Sequence, residues 1–272
     1  IMKNTVSYDS KELERICGEV IIVARIAGDF IQQESKKFTL DNIEHKSAKE
    51  LVSYVDKEAE KLIVKKLKII LPEAGFITEE GTEGENSKSL TWIIDPLDGT
   101  TNFLHKLPTY SVCIALMLDG NLLVGVVNDP NLGECFYAWK GGGAYCNNKK
   151  IKVSEISTLE NSLIAIGFPY SLLDRTEQYF QIFSHLIGKT HGVRRLGSAA
   201  IDLCYVACGR FEAYFEYNLH IWDIAAGILI VQEAGGKICD YKGGNNYLYG
   251  AELLATGRIE ASMLKVIQEY WK

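Results

Sequence analysis

Apolar residues return every three or four positions along residues 9–34, at Leu13, Ile16, Val20, Ala24, Ala27 and Ile31. That period keeps one face apolar and predicts a helix. Residues 47–71 repeat it at Leu51, Val55, Ala59, Leu62, Leu67 and Ile70, and Pro72 closes the run. The pattern then shortens to strand length. "GFITEE" reads as a strand, "GTEGENSKS" as a polar loop, and "LTWIID" as a second strand. "SVCIALML" and "LLVGVVN" flank "DGN", which is a hairpin signal, and "ECFYAWK" and "GAYCN" continue the meander.

After about Val153 strands and helices alternate. "SLIAIGF", "FEAYFEY", "KICDY" and "ELLATG" read as strands, and 175–187, 198–208, 222–234 and 259–271 as helices. Residues 1–153 therefore predict an α+β half: two long helices against an antiparallel sheet that also carries the acidic loops. Residues 154–272 predict an α/β half with a mixed sheet. No repeat, low-complexity segment or flexible linker separates the halves, so they are expected to pack as one compact unit.

Composition narrows the function classes. The chain has 272 residues, 47% apolar and 24% charged, with a net charge of -6. That balance is ordinary for a globular protein and argues against nucleic acid as a default partner, since binding the phosphate backbone needs a basic face. No apolar run approaches the ~18 residues of a membrane span, and the first residues lack a signal-peptide core. Ile1, ahead of Met2, reads as an added residue. The seven cysteines are odd in number and form no CxxC pair, so neither a disulfide framework nor a zinc ribbon is expected. Cys204 and Cys208, one helical turn apart, read as small core residues. A reducing cytoplasm is the expected setting.

The chemistry concentrates in "WIIDPLDGTTNF", Trp92 to Phe103. Asp95 ends a strand, and Pro96 cannot continue the ladder. Asp98-Gly99-Thr100-Thr101 is a helix-start composition, whose free N–H groups attract anions. Either acid, taken singly, serves equally well as a cap of its turn. Two further turns change that balance. "ITEEG" sets Glu79 and Glu80 at a strand end, and "HIWDIAAG" sets Asp223 at a helix start. Carboxylates gathered at one edge repel one another, and divalent cations resolve the repulsion. An all-oxygen set suits Mg²⁺. The five histidines show no zinc-ligand spacing, and His220 reads as a packing or rim residue. "KGGG" at 140–143 lacks the GK[ST] of a phosphate loop and reads as a hairpin corner.

Together "WIIDPLDGTTNF" and "HIWDIAAG" resemble the inositol monophosphatase family of Mg²⁺-dependent, lithium-sensitive phosphatases. "SYVDKEAEKLI", "FITEE", "RRLGSAAIDLCYVACGRFEAYFE" and "GFP" fall where that family has counterparts, so the resemblance covers nearly the whole chain. It implies a layered αβαβα sandwich with the site between the two sheet regions, and a homodimer.

The resemblance also implies roles. Glu79, Asp95 and the carbonyl of Leu97 resemble the ligands of a first Mg²⁺. Asp95 would bridge to a second ion, held with Asp98 and Asp223, and Glu79 would also face a third. Ca²⁺ and Li⁺ are the implied inhibitory ions. Thr100 resembles the hydroxyl that orients the attacking water, and Asp56 its carboxylate partner. The N–H groups of Gly99 and Thr100 would receive the phosphate. Gly197, Ser198, Ala199 and Glu216 match positions on the polyol side. Lys46 lies where the family often has a lysine near the metal edge, although Ser53 stands where a threonine is usual.

Such a site makes physical sense. Phosphate-ester hydrolysis needs electrostatic and positional help. Two ions roughly 3.5–4 Å apart can serve the attacking and leaving oxygens of an in-line displacement. The loop "EGENSKS" reads as solvated, a mobile flap beside Glu79. The expected substrate is an inositol monophosphate, because Thr101 and Asn102 stand where nucleotide phosphatases of this type usually carry a lysine and an acid. A fructose-1,6-bisphosphatase-like or broader sugar phosphatase is the runner-up. A non-catalytic regulatory protein on the same fold is the alternative of another class.

Overall fold

In the computed structural model residues 7–37, 43–45, 51–83, 88–168 and 175–272 are described. The first predicted helix is α1, Ser10–Ser35, and all six residues of its apolar stripe are buried. Asp9 caps it, with its side chain accepting the Glu12 N–H at 2.9 Å. The second helix starts later than its period predicts. α2 spans Tyr54–Ile70, and a strand pair precedes it, β1 (Ile43–His45) antiparallel to β2 (Leu51–Ser53). Leu51 and Val55 are four apart, so they fit a helical period even though Leu51 belongs to a strand.

A seven-stranded sheet follows: β3 (Gly75–Thr78), β4 (Leu90–Asp98), β5 (Ser111–Leu118), β6 (Asn121–Asp129), β7 (Glu134–Trp139), β8 (Gly143–Cys146) and β9 (Lys149–Ile151), hydrogen-bonded in that order. The expected antiparallel sheet is mixed at one edge, because β3 runs parallel to β4. The polar connection between them is long enough for a crossover rather than a hairpin. A short helix α3, Thr100–Leu104, leaves the end of β4.

The second half contributes β10 (Leu163–Ile166), α4 (Thr176–Ile187), β11 (Gly192–Arg194), α5 (Ala199–Ala207), β12 (Ala213–Tyr217), α6 (Ile221–Glu233), β13 (Lys237–Cys239), β14 (Glu252–Thr256) and α7 (Glu260–Tyr270). The sheet order is β11-β10-β12-β14-β13, with the first three strands parallel and the last two pairings antiparallel.

These elements stack in five layers. α1 and α2 cover one face of the large sheet. α5 and α6 lie between the two sheets, and α4 and α7 close the far side of the smaller one. Along β4 the pleat divides its side chains, Trp92 and Ile94 going to the α1–α2 side and Ile93 to the α5–α6 side. The middle layer is thin because its residues are small. A Cβ on Gly125 of β6 would lie 2.6 Å from the Ala226 carbonyl oxygen, and one on Gly227 would lie 2.6 Å from Leu203 Cδ1. "AAG" at 225–227 thus lets α6 approach the sheet on one side and α5 on the other. The "KGGG" corner is held by α6 as well, where the Glu233 carboxylate accepts from the N–H groups of Gly141 and Gly143, each at 2.8 Å.

Candidate active site

Parallel pairing brings the first acids together. β3 and β4 run side by side with Thr78 opposite Ile94, so Glu79 and Asp95 leave the same end of adjacent strands. The Glu79 N–H still donates to the Ile94 carbonyl at 3.2 Å. β4 then bulges. Asp95 pairs with Cys113 and Asp98 with Ser111, so β4 spends one residue more than β5 over this stretch. Pro96 donates nothing there, and the Leu97 N–H turns back to Asp95 Oδ1 at 2.9 Å. The extra residue swings Asp98 toward the middle helices. Its Oδ2 accepts from Ser198 Oγ at 2.5 Å and from the Ala200 N–H at 2.8 Å.

Gly99 lies between Asp98 and α3 at φ 95°, and a Cβ there would lie 2.9 Å from the Thr109 carbonyl oxygen. Only glycine suits both demands. Thr100 opens α3, with Oγ1 3.0 Å from Asp56 Oδ1 and 3.0 Å from the Leu97 carbonyl oxygen. Asp56 is buried in the first turn of α2. Asp223 sits in the first turn of α6, its Oδ2 accepting the His220 N–H at 2.7 Å. His220 is exposed and stacks on Trp222 with ring centroids 4.7 Å apart.

The acids stand in one another's field. Burial pushes the Asp95 carboxyl well above its ordinary range, and repulsion from Glu79, Asp98 and Asp223 adds to this, as does a hydrogen bond with Glu79. Asp223 is raised by burial first and then by Glu79, against the pull of the His220 N–H. Asp98 is pushed up to about 6 by burial, with its Ser198 and backbone donors opposing. Among the described residues no three His, Cys, Asp or Glu side chains close into a ready-made metal cage. The buried, mutually repelling carboxylates present only oxygen donors, a set that fits a divalent cation such as Mg²⁺, which also keeps water and substrate oxygens in its shell.

Strand ends also gather the second group of residues. β10, β11 and β12 are parallel, so Gly167, Arg195 and Glu216 lie at one edge. A Cβ on Gly167 would lie 1.7 Å from Glu216 Oε2, so a side chain there would displace the Glu216 carboxylate from its present position. Glu216 accepts the Tyr214 hydroxyl. Burial lifts its pKa to about 7, with Tyr214 and Arg195 pulling down and Asp98 pushing up. Gly197, at φ 83°, lies against the Asn102 amide, whose Nδ2 donates to the Thr109 and Leu196 carbonyls at 2.7 and 2.8 Å. Ser198 caps α5 and is buried, its hydroxyl bound to Asp98, and Ala199 begins that helix behind it. Lys46 lies outside the described residues.

Two further residues of the site lie in quoted stretches whose spacing did not show what they do there. Asn102 ties α3 to the 197–199 turn. Asp202 is buried on α5 with Oδ1 lacking a hydrogen-bond partner, and is raised well above its usual range by burial, Glu216 and Asp98. Its position within an apolar helix carried no signal.

The Glu216 shift gives a stability test. Its carboxyl is raised from 4.5 to about 7 in the fold. The stability tied to its protonated form is fully present below about 4.5 and is lost as pH rises through about 7. Glu216→Gln stays neutral, so between pH 5 and 8 the variant gains on the parent by up to about 3 kcal/mol, reduced by screening at its partly exposed tip. Urea melts at both pH values check this, and a constant difference between the two proteins contradicts it.

Residues 12–272 match the model of the inositol monophosphatase family. Nus factor SuhB of Pseudomonas aeruginosa is 41% identical over 238 residues, covering 85% of this chain and 88% of that one. The crystal structure of extragenic suppressor protein suhB from Bartonella henselae superposes with a TM-score of 0.87 at 37% identity, over 95% of this chain and 99% of the other. The inositol monophosphatase of Anabaena does so at 0.84 and 34%, over 95% and 97%.

Proposed function

Because the chain belongs to the inositol monophosphatase family, we propose that it is a Mg²⁺-dependent phosphomonoesterase that hydrolyses an inositol monophosphate to inositol and phosphate. The observation that carries this reading is the gathering of Glu79, Asp95, Asp98 and Asp223 at the ends of β3, β4 and α6, with Asp95 and Asp223 raised by burial and then by their acidic neighbours, together with the Thr100–Asp56 pair. Glu79, Asp95 and the Leu97 carbonyl would hold one Mg²⁺, and Asp95, Asp98 and Asp223 a second, with Glu79 facing a third. When bound, the ions supply Lewis acidity and a water of lowered pKa.

The chain's own residues do the rest. The Thr100 hydroxyl donates its hydrogen bond to the buried Asp56, which leaves its lone pairs to accept from a water and fix that water's direction. The Gly99 and Thr100 N–H groups receive the phosphate oxygens. Ser198 and the Ala200 N–H hold Asp98 in one rotamer. Glu216, at the far strand edge, accepts a ring hydroxyl.

Chelation tests the proposal. Exhaustive dialysis against EDTA abolishes phosphate release from myo-inositol 1-phosphate, and Mg²⁺ restores it. Full turnover after chelation overturns the metal assignment. In the same assay inositol 1-phosphate turns over faster than fructose bisphosphate, 3'-phosphoadenosine phosphate or NADP. The P. aeruginosa relative bears the name of a Nus factor, which favours a second reading, a regulatory protein on the family fold. Absence of turnover on the whole panel selects it. The proposal includes a cytoplasmic homodimer, with a light-scattering mass near twice the 30.4 kDa chain, and inhibition by Ca²⁺ and Li⁺. Among the described residues no helix is long and apolar enough to cross a membrane.

A further inference from the structure

Glu60 is a fully buried acid that the reading above does not use. It lies on α2 four residues after Asp56, so both carboxylates project from one face of the helix, one turn apart. Asp56 reaches Thr100. Glu60 reaches the segment after Glu79. Its Oε2 accepts the Glu80 N–H at 2.8 Å, and its Oε1 accepts the Thr82 N–H at 2.8 Å and the Thr82 hydroxyl at 2.6 Å. Gly81, between those amides, has φ 64°, a left-handed step that lets N–H groups on either side turn to one acceptor. The strand bond from the Glu79 N–H to Ile94 fixes the near side of Glu79. Glu60 fixes the far side.

We propose that Glu60 is a positioning residue that holds Glu79 at the strand edge against the repulsion of Asp95 and Asp223. Its two oxygens already accept three hydrogen bonds from the segment after Glu79, so it acts on the metal edge through that segment rather than as a ligand. Glu79 raises the carboxyls of both those aspartates, and an unanchored chain end would relax by swinging the charge away toward water. α2 thereby sets the spacing between two arms of the site: Thr100 through Asp56, and Glu79 through Glu60. This inference rests on the Mg²⁺-dependent reading above.

The test is Glu60→Gln, alone and with Thr82→Val. The introduced amide keeps one acceptor and turns an N–H₂ toward one of the loop amides, so at least one charge-assisted bond is lost. Thr82→Val removes only the hydroxyl donor. Three quantities are measured: Mg²⁺ affinity by calorimetry, hydrogen exchange at the Glu80 and Thr82 amides, and turnover across a Mg²⁺ titration. Glu60→Gln weakens Mg²⁺ binding about tenfold, speeds exchange at both amides, and leaves kcat at saturating Mg²⁺ within about twofold. Thr82→Val does the same more weakly, and the double variant adds less than the sum, since both act through one carboxylate. A lowered melting point with unchanged Mg²⁺ affinity makes Glu60 a structural residue and overturns the proposal. So does a large fall in kcat at saturating Mg²⁺ with unchanged affinity. Parent protein that binds no Mg²⁺ removes the underlying reading and the proposal together, an outcome seen before any variant is made.

Discussion

Asp95→Asn abolishes turnover while leaving the fold intact. The asparagine oxygen can still accept the Leu97 N–H that Asp95 Oδ1 holds at 2.9 Å. Its amide can donate to Glu79, which now shares a hydrogen bond with the Asp95 carboxyl. Nothing in the bulge between Asp95 and Asp98 needs the charge. Under the proposed assignment both ions lose the anion they share, and rates fall by roughly a thousandfold or more, the scale of losing one preorganised electrostatic contact worth several kcal/mol. In EDTA the variant is at least as stable as the parent, because one member of a repelling set has been neutralised. Asp98→Asn acts on the second ion only and disturbs a carboxylate that holds Ser198 and the Ala200 N–H, so high Mg²⁺ recovers part of its activity. Melts in EDTA and rates across a Mg²⁺ titration check both. If Asp95→Asn melts early without metal, and its folded fraction still turns over normally, the stretch is only a turn.

The largest stability loss is expected at Gly125, where β6 meets α6. A Cβ there would sit 2.6 Å from the Ala226 oxygen and 3.1 Å from its Cα. Both are backbone atoms, so no rotamer change relieves the contact, and α6 must move off the sheet. Gly125→Ala should cost about 3 kcal/mol or more, at the upper end for overpacking, and lower the melting point by about 10 °C. α6 carries Asp223 in its first turn, so Mg²⁺ affinity falls too. Gly18 provides the control. It is an exposed position in α1 with open space around its would-be Cβ, and Gly18→Ala should stabilise by about 1 kcal/mol through helix propensity. Two glycine-to-alanine changes of opposite sign separate packing from chain entropy. Equal effects at the two sites would contradict the close approach of β6 and α6.

Elements with a strong period were legible in the sequence. The stripe of α1 and the meander from Ser111 to Cys146 required only spacing and the "DGN" turn. Elements set by distant partners were not. β11 is three residues long and exists because β10 lies beside it. β2 hides within a helical period because Leu51 fits both patterns. The parallel run of β3 against β4 depends on a crossover that no local signal encodes, yet it is what brings Glu79 beside Asp95. Candidate acids were recognisable because three separate turns, each at a strand end or helix start, carry carboxylates within quoted motifs; any one of them alone reads as a cap. Their supports were not. Glu60 looks like any solvated glutamate in "DKEAEK", and only the packing of α2 turns it inward. Asn102 and Ser198 each belong to a quoted motif, but their work of tying α3 and Asp98 to α5 spans about a hundred residues of chain.

The shared middle layer bears on how the protein is made. On the ribosome residues 1–153 emerge well before α5 and α6. During that interval the large sheet has only one of its faces covered. The bare face holds Ile93, Cys113, Ala115, Met117, Val127, Phe136 and Ala138, all buried in the finished protein. A nascent chain in that condition is a natural client for chaperones that bind apolar strands. The same half expressed as a fragment would be expected to precipitate, and to stay soluble when residues 154–272 are co-expressed to cap it.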